Sequence, residues 1–135
     1  MTDGPPSGTP PRCHLIHHVG VFASAFEASR AIYLAGLEPL GIVAGYSTDS
    51  VCELWRTGHD TPSLSLERAT DLITRGVHLA FTADDRAQVD MFHTAAVAAG
   101  ATSRHLPRHW PEYGAYCAFV TDPDGNNIEA LVKDA

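Results

Sequence analysis

A chain of 135 residues, 44% apolar and only 19% charged, is long enough to bury one continuous core and has the composition of a folded protein, which excludes a disordered chain. The formal charge of -7, with Lys133 the only lysine, excludes a nucleic-acid binder, since phosphate recognition needs clustered Lys and Arg; it suits a cationic ligand instead. Cys13, Cys52 and Cys117 are an odd number without a close pair, which argues against a disulfide framework or a Cys zinc site; with no secretory segment or long apolar run, a cytoplasmic protein with no membrane partner is expected.

The opening "MTDGPPSGTPPR" is rich in Pro, Gly and polar residues that neither pack nor hold a helix, so residues 1–13 read as a flexible tail and 14–135 as the folded domain. From His18, "HVGVFASAFEASRAIYLAG" matches "HLAFTADDRAQVDMFHTAAVAAG" from His78 at a constant offset of 60. His18 falls on His78, Val19 on Leu79, Val21 on Phe81, Ser24 on Asp84 and Ile32 on Phe92. Each copy predicts a short strand followed by an amphipathic helix. Ser24 with Glu27 forms a capping box, Asp84 can cap the second helix, and Gly36 and Gly100 stand where left-handed C-terminal residues are wanted. Val89, Phe92, Ala96 and Ala99 form a buried helical stripe.

Three strand-like runs follow each helix: "LGIVAG", "VCELWR" and "SLSLER", then "ATSRHL", "AYCAFV" and "NNIEALV". Asp122-Pro123-Asp124-Gly125 joins the last two as a hairpin turn. The chain is thus α+β, with two tandem β-α-β-β-β modules at 14–68 and 76–133. Strand side chains alternate between faces. Val19 and Val21, Leu79 and Phe81, and Ile128, Ala130 and Val132 make apolar faces for the helices, leaving His18, His78 and Glu129 on the other face. Two imidazoles and a carboxylate on one sheet face can form a facial triad for a divalent metal such as Fe, Ni, Zn, Mn or Co, with positions left open for substrate.

The segments "HHVGVFASAFEASRAIYLAGLEPLG", "GVHLAFTADDRAQVDMFHTAAVAAGA" and "YGAYCAFVTDPDGNNIEALV" resemble, in order and spacing, the vicinal oxygen chelate superfamily of glyoxalases, extradiol dioxygenases and bleomycin-resistance proteins. The resemblance implies paired modules whose mixed sheets curl into a cup, often completed in a homodimer, and a metal-dependent dioxygenase, isomerase or lyase acting on a small oxygenated substrate. It implies His18, His78 and Glu129 as metal ligands. Glyoxalase I enzymes usually add a fourth ligand; here "SLSLER" puts Ser65 opposite Glu129, and Glu67 on the same face is the remaining candidate. The resemblance also suggests that Tyr116 or His109 handles protons near the metal.

The segment "RHLPRHWPEYGAY" reads as a lid carrying His105, His109, Trp110 and Tyr113, whereas His14, His17, His59 and His93 read as surface or loop residues. Trp55 lines or covers the cup, and Cys52 and Cys117 read as small buried residues. The alternative to an enzyme is a metal-independent binding protein whose cup sequesters an antibiotic.

Overall fold

The computed structural model describes residues 15–59 and 63–135; the expected tail at 1–13, and His14, lie outside the described residues. The first half holds strands β1 (Val19–Ala23), β2 (Ile42–Ser47), β3 (Val51–Arg56) and β4 (Leu64–Arg68), with helix α1 (Phe26–Leu37) after β1. The second repeats the pattern with β5 (His78–Thr82), helix α2 (Arg86–Ala98), β6 (Thr102–Trp110), β7 (Ala115–Thr121) and β8 (Asn127–Lys133). The sheets have orders β1-β4-β3-β2 and β5-β8-β7-β6, each with a parallel first pair and antiparallel pairs thereafter. The expected α+β pair of modules is present, but the two sheets do not close on one another, and β1 and β5 are free edges among the described strands.

Alternation explains where the core sits. Val21, Leu64 and Leu66 of the first sheet and Val120, Ile128 and Ala130 of the second are buried in one cluster with Phe26, Ile32 and Tyr33 of α1 and Val89, Phe92 and Ala96 of α2. Each large apolar side chain in it contributes about 2 kcal/mol through removal from water. Both sheets therefore turn their apolar face toward a shared helical layer and their other face outward. Among the described residues no helix is long and apolar enough to cross a membrane.

The helix ends differ from expectation. Ala25, with no side-chain cap, begins α1, while Ser24 gives its backbone N–H and its hydroxyl to the Asp124 carboxylate. Two charge-assisted bonds to a distant turn displace a single local cap. Glu27 pairs with Arg68 rather than closing a capping box. At α2 the cap is Asp85, not Asp84: Asp85 accepts from the Gln88 N–H, and the Gln88 side chain accepts from the Asp84 N–H. Gly36 lies inside α1, where a Cβ would stand 3.0 Å from the Ala96 Cβ, so its role is close helix packing. The left-handed residue is Gly41, at φ 81° after a short 3-10 helix, Glu38–Leu40. Gly100 does take a positive φ, 119°.

The Asp122–Gly125 turn is also a brace. Buried Asp122 accepts from the Tyr33 hydroxyl of α1, from the backbone N–H groups of Asp124 and Asn126, and from Asn126 Nδ2. Asn126 in turn bonds Thr74 and Val77 of the inter-module segment. Most of the segment read as a lid is strand β6, an edge strand on which Pro107 is tolerated inside a break of register between His105 and Arg108.

Candidate functional site

Register decides which residues meet on the outer face of the second sheet. Ala80 pairs with Glu129, Glu129 with Phe119, and Phe119 with His105; Leu131 pairs with Cys117, and Cys117 with Arg108. Cross-strand partners share a face, so Glu129 stands among Phe119, Cys117 and Trp110, with His78 two residues before Ala80. His78 Nε2 lies 2.8 Å from Glu129 Oε1. The carboxylate is buried, Glu129 being 4% exposed, and burying it without a partner would be costly. Burial, and then its bond to Glu129, pushes the Cys117 thiol up to about 12. It therefore stays protonated beside the carboxylate, both lining the same cavity. A cavity of about 320 Å³ opens over this pair, walled by Trp110, Tyr113 and Phe119. His105, Trp110 and Phe119 meet edge to face, with centroids 5.3 to 5.6 Å apart.

The first module places different chemistry on the same scaffold. Gly20 pairs with Ser65 as Ala80 pairs with Glu129. Ser65 is buried, and its hydroxyl donates to Glu67 Oε2 at 3.4 Å. Glu67 leans over Gly20, where a Cβ would lie 3.4 Å from that oxygen. His18 is exposed just before β1, with Nδ1 2.8 Å from His17 Nδ1. His18 and Glu67 are not brought to His78 and Glu129: among the described residues no three His, Cys, Asp or Glu side chains converge as a metal site. The shared core holds the two outer faces apart. A second cavity of about 410 Å³, bordered by Val19, Leu79 and Phe81, lies between the modules and touches neither His78 nor Glu129.

Tyr116 and His109 are elsewhere than expected. They pair with one another across β7 and β6, on the opposite face from Cys117 and Trp110. The Tyr116 hydroxyl donates to Asp90 Oδ1 of α2 at 2.7 Å, and this bond, followed by burial, raises its pKa. His109 Nε2 lies 3.0 Å from Asp134 Oδ2. Neither reaches the His78–Glu129 pair. A signal in the sequence pointed to the right neighbours: a hairpin at Asp122–Gly125 that pairs Thr121 with Asn127 puts Phe119 opposite Glu129, and alternation then selects Cys117 over Tyr116. His93, expected on a helix exterior, is buried, with Nε2 2.7 Å from Ser103 Oγ. Trp55 covers Gly45, where a Cβ would stand 2.0 Å from the indole.

A family model described as the Glyoxalase/Bleomycin resistance protein/Dioxygenase superfamily matches residues 15–130. The chain belongs to this superfamily. A glyoxalase/bleomycin resistance protein from Albidiferax ferrireducens is similar, at 31% identity and a TM-score of 0.72, over 84% of this chain and 94% of that one. Two more distant structures share the superfamily fold. A glyoxalase-related enzyme from Fulvimarina pelagi has 18% identity and a TM-score of 0.68, over 88% of each chain. A lactoylglutathione lyase from Agrobacterium tumefaciens has 22% identity and a TM-score of 0.60, over 91% of this chain and 95% of its own. No curated protein matches. The superfamily is associated with divalent metals and small-molecule substrates.

Proposed function

We propose that the chain is a metal-dependent enzyme of the vicinal oxygen chelate type acting on a small oxygenated substrate, by dioxygenase, isomerase or lyase chemistry. His78 and Glu129 of one copy hold a divalent metal together with His18 of a second copy, and Glu67 of that second copy is the candidate fourth ligand. The observation that carries this reading is the His78–Glu129 pair, a buried carboxylate facing an imidazole at 2.8 Å on the wall of an open cavity. Imidazole and carboxylate donors fit Fe, Ni, Zn, Mn or Co. A second copy is required because one chain turns the His18 and His78 faces outward on different sheets, and because β1 and β5 offer free edges for a partner. When bound, such a metal supplies Lewis acidity for adjacent substrate oxygens.

The chain's own residues have separate tasks in this reading. The Cys117 side chain packs beside Glu129 and keeps that flank of the carboxylate from water. Phe119 and Trp110 exclude water from one side of the substrate, and the small side chain of Ala80 leaves room above the pair. Tyr116 and His109, on the other face, take no part.

The test is elemental analysis of protein purified without a His tag or chelator. The wild type is expected to carry about one metal per chain, and His18→Ala and His78→Ala to carry none. Mixing the two variants after subunit exchange restores one intact site per heterodimer. Metal retained by either variant, or no recovery on mixing, overturns the shared site. Protein that cannot be loaded at all supports the metal-independent binding alternative.

A further inference from the structure

Against Trp110, one of the cavity's lining residues, stands a cation whose charge the site does not use. Arg108 of β6 pairs across the strands with Cys117 and so stands, exposed, on the same sheet face, at the rim of the cavity that Cys117 and Trp110 line. Its guanidinium carbon lies 3.4 Å from the centroid of the Trp110 ring. Nη1 donates to the His109 carbonyl at 2.9 Å. Among the described residues the ion pairs are Arg68–Glu27, His78–Glu129 and His109–Asp134, so no described carboxylate pairs with Arg108. Stacking on an indole holds a guanidinium in one plane with its remaining N–H groups free at the edge, which suits a planar anion bound through two oxygens.

The surroundings agree in charge and shape. Lys133 shares this face as the partner of Ala115, held 4.2 Å over the Tyr113 ring. Glu129, the carboxylate lining the cavity, is already matched by His78. Arg108 and Lys133 thus put two cations on this sheet face in a chain of net charge -7, against the cationic ligand that total charge suggests. Phe119 and Trp110 offer an apolar surface for a flat ring between the cation and the His78–Glu129 pair.

We propose that Arg108 is an anion subsite that selects planar carboxylates, the carboxylate on its guanidinium and the ring against Trp110 and Phe119. This names the substrate class for the cavity described above and rests on that cavity being the substrate site. It does not rest on the metal.

The test titrates chelator-treated protein with benzoate, benzamide and benzylamine, followed by Trp110 fluorescence in a Trp55→Phe background, with circular dichroism as the check on folding. Benzoate is expected to bind about tenfold tighter than benzamide, with benzylamine weakest. Arg108→Gln is expected to cost benzoate about tenfold and to leave benzamide within about twofold, while Arg108→Lys recovers part of the loss. Preference for benzylamine, or benzoate binding that is absent or indifferent to Arg108→Gln, overturns the proposal. So does dissociation of a dimer by Arg108→Gln in light scattering, which would assign Arg108 to a carboxylate of the other copy. Loss of the metal reading would appear instead as an empty elemental analysis with benzoate binding intact.

Discussion

The two modules share one backbone plan and put opposite chemistry on it. At the parallel pair that leads each sheet, the first module sets Gly20 beside Ser65 and the second sets Ala80 beside Glu129. Around Ser65 the outer face holds Glu67 and Glu53; around Glu129 it holds His78, Cys117 and an aromatic wall. The cores on the inner faces stay equivalent, because packing of helix on sheet constrains those positions alike. The outer faces are free to diverge, since function alone acts on them. A repeat thus supplies the scaffold twice and, in the proposed reading, each half-site once.

The largest effect should come from stripping one module and sparing the other. Glu129→Ala is expected to abolish metal content, whereas Glu67→Ala leaves about one metal per chain if three ligands suffice, both read by elemental analysis. Ser65→Glu, which gives the first module the carboxylate of the second, should tighten metal binding in a competition titration. If it has no effect, the outer face of the first module does not reach the site.

The next effect tests the brace by which the second module grips the first. Asp122→Ala orphans the Tyr33 hydroxyl and two Asn126 donors inside the core and should cost about 3 kcal/mol in urea unfolding. A cost near that of a surface change would mean that the modules are held by apolar packing alone.

Smaller still is the cost of erasing a difference between the helices. Gly36→Ala makes α1 match Ala96 of α2, but the added methyl meets Ala96 at 3.0 Å and should destabilise by about 1 to 2 kcal/mol in the same assay.

The smallest effect is confined to α2. Burial lowers the pKa of His93, so the folded protein keeps it neutral while the unfolded chain takes up a proton below about pH 6.5. The depressed value means that its contribution is present above the unfolded pKa and is lost as pH falls through the folded one. His93→Gln keeps a partner for Ser103 and should flatten the fall in stability below about pH 6.5 in a series of urea melts. An unchanged slope would place the acid sensitivity elsewhere.

The two-module plan is legible along the chain alone. A 60-residue offset that matches strand to strand and helix to helix, together with period-two alternation, assigns inner and outer faces without coordinates; it put Glu129 on one face with His78, and it expected the same of His18, which stands exposed just before β1. These are local properties, set by neighbours two to four residues apart. The contacts that alternation could not foresee are long-range. Ser24 left its helix for Asp124, a hundred residues away; Gly36 proved to be a helix contact rather than a helix end; and Tyr116 turned to Asp90 while Cys117 took the place beside Glu129. Above all, the shared core sends the His18 face and the His78 face outward on different sheets. Alternation states that two residues lie on outer faces. Only packing of the two sheets on their common helical layer determines that these are different outer faces, so that the three candidate ligands legible along one chain do not meet within it.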